Sequence, residues 1–178
     1  MKTPTRGFDV TGELDPMRRY ARALAGPHGD ADDLVQEALA RALERRASFR
    51  PDMALRPWLL TILHNVFVDG VRRRRAELTR LEVSEAVATA LDAPQEHAVR
   101  LSEVRARFDA LPEDQRAALH LVAIEGLSYQ EAAAAIGAPI GTLMSRLGRA
   151  RAALRAPETV ASSGPVRLRL VGGSDDQR

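Results

Sequence analysis

The chain has 178 residues, of which 45% are hydrophobic and only 4% aromatic, and its formal net charge is +2. This length suits one or two domains with cores of leucine, alanine and valine. The absence of cysteine excludes disulfides, thiolate metal sites and cysteine nucleophiles. Because the sequence has no signal-peptide core and no run of about 18 apolar residues, we expect a cytoplasmic protein that does not insert into membranes.

Charge is distributed unevenly along the chain. Residues 30–37 hold four acids and no base, whereas residues 72–80 hold five arginines and one acid. Residues 141–155 hold four arginines and no acid. One acidic and two basic surfaces indicate a protein partner and a polyanion contacted twice.

Two helices are predicted in the first third of the chain. Helical periodicity begins near Asp15 and ends at Gly26, which is followed by proline. Asp30 has the character of an N-cap, with further acids in the first turn that complement the helix dipole. An apolar stripe at i, i+3 and i+4 predicts a second helix that continues to Arg46.

A loop and a long third helix follow. The apolar periodicity breaks over residues 49–55, and Pro57 suits the first turn of a helix that runs from Trp58 to about Leu81. The first half of this helix is apolar nearly all round and should be packed, whereas its arginine-rich second half should face solvent or an anion. We expect the three helices to form one compact N-terminal unit, residues 13–81.

The remaining chain predicts a second small helical domain. Residues 82–95 have weak periodicity and are interpreted as a flexible linker, and the Ser/Gly-rich residues 157–178 as a mobile tail. Between them, residues 96–156 form the predicted C-terminal unit, with a helix over 96–110 and another from Pro112 whose apolar residues end at Ile124. The predicted fold class is all-α: two small helical domains joined by a linker.

The sharpest pattern is a helix-turn-helix within the C-terminal unit. A capping box, Ser128-Tyr129-Gln130-Glu131, opens a short alanine-rich helix that Gly137 ends, and Pro139 begins a longer one. Leu143, Leu147, Ala150 and Leu154 recur on one face of that last helix. Its other side and first turns carry Thr142, Met144, Ser145, Arg146 and Arg149, which suits entry into a DNA major groove. An ordinary helical hairpin with a solvated arginine face is the alternative interpretation.

A second basic pattern ends the third helix. Arg72 to Arg75 lie downstream of His64 and Asn65, and an asparagine can read a base edge in bidentate fashion. The loop 49–56 offers a pocket for an unstacked base. The alternatives are a solvated helix end stabilised by the dipole and, for Trp58, an ordinary core anchor.

No catalytic set emerges from the sequence. The histidines, at positions 28, 64, 97 and 120, lack metal-ligand spacing, and no glycine-rich phosphate loop is present. We therefore expect neither an enzyme nor a cofactor or metal site.

Several motifs together resemble the extracytoplasmic-function (group IV) sigma factors of the sigma-70 family. Residues 33–38 are similar to region 2.2 of that family and residues 56–75 to regions 2.3 and 2.4. Three further motifs, at 111–116, 125–133 and 141–147, are similar to region 4. The resemblance covers about residues 15–155, in the family's order and spacing.

The resemblance implies a promoter-specific initiation factor and a role for each surface. Asp33, Leu34, Gln36 and Glu37 would dock on the β′ clamp helices of core RNA polymerase, and the polymerase β flap is a further implied contact. The −10 element would be read and melted by Phe49, Asp52, Met53, Arg56, His64, Asn65, Asp69, Arg72 and Arg73. The −35 element would be read by Ser128, Tyr129, Pro139, Thr142, Met144, Ser145, Arg146 and Arg149. His64 stands where the family often has arginine, which implies a weaker −10 contact.

The resemblance also implies an anti-sigma factor as a partner, although no residue identifies one. Two other function classes use the same patterns. A free-standing helix-turn-helix regulator would need a dimerisation surface, and no heptad seam is visible. A purely helical interaction module would leave both arginine-rich helices without a purpose.

Overall fold

The computed structural model describes residues 8–26, 30–50, 52–81 and 96–155; the predicted linker 82–95 and tail 157–178 lie outside these residues. All regular structure in the described ranges is helical, which confirms the all-α prediction. The helices are α1 (Leu14–Ala25), α2 (Ala31–Glu44), α3 (Leu55–Leu81), α4 (Glu96–Asp109), α5 (Glu113–Ala123), α6 (Tyr129–Ala135) and α7 (Ile140–Arg155). None of them is long and apolar enough to cross a membrane.

Local capping sets the helix boundaries of the N-terminal unit. Gly26 ends α1 with a φ of 70°, a conformation that side chains disfavour. Asp30 accepts a hydrogen bond from the Asp33 backbone N–H at 3.0 Å, as its N-cap role predicts. Helix α2 ends at Glu44 rather than Arg46, because residues 46–48 tighten into a 3₁₀ turn.

The core of the N-terminal unit lies where α1, α2 and the first half of α3 meet. Met17 and Tyr20 of α1 are fully buried, as are Leu59, Leu60 and Leu63 of α3. By contrast, residues 72–79 of α3 are exposed. The predicted division of this helix into a packed half and a solvent-facing half is therefore confirmed.

In the C-terminal unit, the predicted caps set the boundaries of α6. The Ser128–Glu131 capping box is complete, with both reciprocal hydrogen bonds present. Gly126 and Gly137 adopt φ angles of 70° and 61° at the turns before and after α6. Helix α5 ends at Ala123, one residue before Ile124, whose side chain is 55% exposed.

The two units also pack on each other. Helix α1 contacts α5, and α3 contacts α6, so that the buried residues of both units form one continuous hydrophobic cluster. The sequence predicted two helical units joined by a linker and gave no sign of this contact.

Candidate nucleic-acid interface

Helices α6 and α7 form the helix-turn-helix. Ala132 and Ala135 of α6 are fully buried, and their small side chains let α7 approach closely. Leu143, Leu147 and Ala150 hold the inner face of α7 in the core, at 0 to 1% exposure. The predicted dry stripe of this helix is thereby confirmed, and its other side is left for a partner.

The outer side of α7 presents two arginines in different states. Arg149 is exposed and its Nη2 donates to the Ser145 hydroxyl at 3.0 Å. Arg146 is only a quarter exposed, because its Nε lies 3.0 Å from the Asp114 carboxylate of α5. Met144 is 54% exposed and Thr142 is half-buried. Arg149 can therefore contact a ligand directly, whereas Arg146 can do so only once its ion pair with Asp114 breaks.

The other predicted −35 residues lie at the starts of α6 and α7. The Ser128 hydroxyl and backbone N–H both bond to the Glu131 carboxylate, at 2.6 and 2.8 Å. These two hydrogen bonds lower the pKa of Glu131, so the carboxylate of the capping box is ionised at neutral pH. Tyr129 is 39% exposed, and Pro139 is exposed one residue before α7. Ser128 thus sets the helix start, while the other two face solvent.

One face of α3 forms a polar cleft. Asn65 is exposed and shares that face with Asp69 and Arg72, at i, i+4 and i+7. Together with Arg41 of α2 and Arg45 directly after this helix, they line a cleft of about 350 Å³. This polar cleft brings four of the predicted −10 residues together, since His64 also lines it.

Helix α2 and the polar cleft are joined by a chain of ion pairs. Arg41 lies 2.7 Å from the Glu37 carboxylate and 3.2 Å from that of Asp69. Arg73 approaches the same Glu37 carboxylate at 3.6 Å. On α2, Asp33, Gln36 and Glu37 are exposed and Leu34 is half-buried.

His64 is placed unlike its neighbour Asn65. Its Nδ1 lies 2.9 Å from the Tyr20 hydroxyl, and the two rings stack at 6.3 Å. Burial, assisted by the nearby Arg146 charge, lowers the pKa of His64 to about 4. The imidazole is therefore neutral at pH 7, and its Nδ1 can accept the Tyr20 hydroxyl proton in a hydrogen bond.

The predicted 49–56 loop is shorter in the structure, because α3 begins at Leu55, and Phe49 at its start belongs to an aromatic cluster. Phe49 and Trp58 lie 5.2 Å apart, and Phe8 packs edge-on against both, at 6.0 and 5.8 Å. The Arg46 guanidinium lies 5.3 Å from the Phe8 ring centre. Trp58 is half-buried against the core, as expected of an anchor.

The polar side chains of this loop have different partners. Met53 is 53% exposed, and Asp52 pairs with Arg50 at 3.6 Å near the surface. Arg56 bonds to Glu13 at 2.7 Å, and this hydrogen bond raises the pKa of Arg56. Arg56 thus fastens the start of α3 to the segment before α1.

Sequence reasoning missed several residues of the interface. Arg41 has one signal, its i+4 spacing from Glu37. Phe8 has none, since a lone aromatic ahead of the first helix has no partner in the pattern. Glu125 and Arg19 bond to each other although 106 positions separate them, and no local pattern could pair them.

Comparison with known proteins gives a consistent result. The family described as "Sigma-70 region 2" matches residues 10–77, and "Sigma-70, region 4" matches residues 101–154. The chain is 43% identical over 148 residues to the ECF RNA polymerase sigma factor EcfG of Rhodopseudomonas palustris, covering 83% of this chain and 82% of that one. It is 35% identical over 140 residues to the ECF RNA polymerase sigma-E factor of Escherichia coli K12, at 72% and 73% coverage. The solved sigma factor RpoE of Bartonella quintana, in complex with the anti-sigma factor NepR, is similar at a TM-score of 0.70 and 34% identity, covering 82% of this chain and 91% of that chain.

Proposed function

Because the chain belongs to the extracytoplasmic-function family of sigma-70-type RNA polymerase sigma factors, we propose that it binds core RNA polymerase and directs initiation at specific promoters. One observation carries the proposal beyond family membership. A single chain presents a helix-turn-helix with an exposed outer side and, on a separate helix, a polar cleft lined by asparagine and arginine.

We assign core binding to the acidic face of α2. Asp33, Gln36 and Glu37 are exposed there, and Leu34 adds a half-buried apolar contact. Docking of these residues on the β′ clamp helices combines charge attraction with apolar burial. The C-terminal unit supplies a second contact, to the β flap.

We assign −10 recognition to the N-terminal unit, residues 13–81. Asn65 offers both a donor and an acceptor to a base edge, and Arg72 and Arg73 offer cations to phosphate. The loop residues Phe49, Asp52, Met53 and Arg56, with His64 and Asp69 of α3, complete the assigned site. The exposure of Met53 and the Phe49–Trp58 aromatic surface support a place for an unstacked base beside the cleft.

We assign −35 recognition to the C-terminal unit, residues 96–156. The exposed Arg149 and Ser145 support reading of base edges or phosphates by α7. Pro139 directly precedes α7, whose N-terminal end favours a nearby phosphate. Ser128 and Tyr129 of the assigned set lie at the start of α6.

The family supplies two further expectations. The similar Bartonella protein is solved with an anti-sigma factor, and we assign a partner of that class to this chain. We also assign the protein to the bacterial cytoplasm, where RNA polymerase acts, as a factor without catalysis of its own.

Reconstituted transcription tests this function. Purified chain and core polymerase are mixed with a library of promoter fragments, and transcript start sites are mapped. We expect discrete starts that require the added chain. A free-standing regulator would bind DNA without conferring starts on core polymerase, and that result would overturn the proposal.

A further inference from the structure

The aromatic cluster beside the loop before α3 is completed by Phe8, which lies ahead of the first helix. The Phe8 ring lies edge-on to Phe49 at 6.0 Å and to Trp58 at 5.8 Å between ring centres. Phe49 and Trp58 are themselves 5.2 Å apart. Each ring therefore contacts the other two, and all three are half-buried. Since one such aromatic contact is worth roughly two- to tenfold in an equilibrium constant, Phe8 contributes to the order of this cluster.

A cation lies over the face of the same ring. The Arg46 guanidinium carbon is 5.3 Å from the centre of the Phe8 ring. Arg46 begins the 3₁₀ turn 46–48, which leads directly into Phe49. Because a guanidinium is attracted to an aromatic face, Phe8 is held both by the residues just before the loop and by the first residue of the loop.

A second contact reaches the other end of the loop. Glu13, five residues after Phe8, accepts a hydrogen bond from Arg56 Nε at 2.7 Å. Arg56 lies in the first turn of α3, directly after the loop. The Glu13 side chain is only 20% exposed, so water screens this ion pair only in part. Residues 8–13, the N-terminal segment, therefore contact the loop at both of its ends.

The N-terminal segment has hydrogen bonds of its own. The Asp9 carboxylate accepts from the Thr11 backbone N–H at 3.0 Å and also from the Thr11 hydroxyl. The Glu13 N–H donates to the Val10 carbonyl at 3.0 Å, which closes a 3₁₀ turn directly before α1. Val10 is half-buried against the core. These contacts fix the backbone from which the segment meets the loop.

The loop before α3 carries exposed side chains of the assigned −10 site. It begins at Phe49, and Asp52 and Met53 within it are exposed. A base that has left the DNA stack needs a stacking face and a loop that is already in a receptive conformation. If the loop adopts that conformation only part of the time, the apparent affinity for the base falls by the same fraction. Contacts that hold the loop at both ends therefore favour capture of a base.

We propose that Phe8 is a positioning residue for the −10 site and that, together with Glu13, it holds the loop before α3 in the conformation that receives an unstacked base. The proposal rests on the proposed function, which assigns −10 recognition to this loop. Phe8 lies two residues ahead of the part of the chain that matches sigma-70 region 2, so the family match assigns it no role. Its ring contacts are with Arg46, Phe49 and Trp58 and not with the assigned docking residues of α2.

Binding of single-stranded −10 DNA to the holoenzyme tests this role. Start-site mapping supplies the promoter, and each strand is then prepared with one base removed at a time. The abasic penalty is the factor by which removal of one base weakens binding, and it is largest at a captured base. Phe8→Ala should weaken binding of the intact strand about five- to tenfold and reduce that largest penalty by the same factor, because a loosened loop captures the base less often.

Two other measurements should not respond to Phe8→Ala. Affinity for core polymerase should stay the same, because the assigned docking face on α2 is unaltered. The slope of DNA affinity against salt concentration should also stay the same, since no phosphate contact is removed. Damage to the N-terminal unit would change both measurements, and such a change would overturn a role confined to the loop.

Two variants separate positioning from loss of apolar volume. Phe8→Tyr keeps the ring and should keep both the binding and the abasic penalty within about twofold of the unsubstituted chain. Val10→Ala is the matched control, because it removes half-buried apolar volume from the same segment without removing a ring. Equal loss of the abasic penalty in Phe8→Ala and Val10→Ala would overturn a specific role for Phe8.

Fluorescence of the free chain tests the packing without polymerase. Trp58 is the single tryptophan of the chain, so its emission should move to longer wavelength in Phe8→Ala, as water reaches the ring, but not in Phe8→Tyr. Unshifted emission in Phe8→Ala would overturn the contact. An unchanged abasic penalty, with normal initiation by the unsubstituted chain, would overturn the positioning role alone. Failure of the unsubstituted chain to support initiation would instead overturn the proposed function.

Discussion

Replacing His64 with asparagine should make the folded chain less sensitive to acid. His64 is half-buried and has a pKa of about 4, against about 6.5 for an unfolded histidine. Its stability contribution is complete above pH 6.5, where neither state binds a proton. As the pH falls from 6.5 to 4, the unfolded chain takes up a proton that the folded chain does not, so stability is lost over this window.

The size of the effect follows from the two pKa values. Between pH 7 and pH 5, proton uptake by His64 in the unfolded chain lowers the free energy of unfolding by about 2 kcal/mol. Burial also lowers the pKa of His120, which adds a loss of the same sign in both proteins. Asparagine does not titrate, and its Oδ1 can replace Nδ1 as the acceptor for the Tyr20 hydroxyl.

Urea unfolding followed by circular dichroism at pH 7 and pH 5 measures both losses. The free energy of unfolding of His64→Asn should fall by about 2 kcal/mol less than that of the unsubstituted chain between these pH values. The difference between the two proteins cancels the carboxylates, which titrate alike in both. Equal losses would refute the burial of His64 between the units.

Three further predictions concern the assigned surfaces. Asp33→Arg should weaken core-polymerase binding in a pull-down, since it reverses an exposed charge on α2, while Glu44→Arg at the helix end should not. If core polymerase retains both variants equally, the docking face is contradicted. Arg72→Ala should reduce the slope of holoenzyme–promoter affinity against salt concentration by about 0.9, whereas Arg74→Ala, outside the polar cleft, should change this slope less. An unchanged slope for Arg72→Ala would mean that Arg72 is solvated and contacts no phosphate. Arg149→Ala should alter −35 base preference by about 1–3 kcal/mol at one position if it reads a guanine, or weaken all sites alike if it meets phosphate; a base-substitution panel identical to that of the unsubstituted chain would exclude both.

Local patterns predicted the helices and most of their ends. Each helix end depends on neighbours only a few residues away, so a short stretch of sequence is enough to predict it. Examples are Gly26, Asp30, the Ser128 capping box and Gly137. The apolar stripe of α7 was equally predictable, because a buried face must recur at the helical period. For the same reason the outer side of that helix could be assigned before its surroundings were known.

Long-range pairing could not be predicted in the same way. Arg19 and Glu125 look like ordinary surface charges in the sequence, and nothing in their neighbourhoods marks Glu125 as fully buried. His64 resembled a polar neighbour of Asn65, yet one position turns it by about 100° around α3 and into contact with Tyr20. The contact between the two units was not predicted for the same reason, because its polar pairs join residues far apart in the sequence.

If Glu37 docks on the polymerase as proposed, its ion pairs link that docking to the proposed DNA surface. Glu37 is shared by Arg41 and Arg73, and Arg41 also holds Asp69 inside the polar cleft. A polymerase cation that pairs with Glu37 would weaken the ion pairs of this carboxylate with Arg41 and Arg73. Both arginines could then bind DNA phosphate more readily. Binding free energies are reciprocal: DNA that draws Arg73 away from Glu37 in turn leaves that carboxylate readier for the polymerase. With this coupling, the protein would bind DNA more tightly in the presence of the polymerase, and the polymerase more tightly in the presence of DNA.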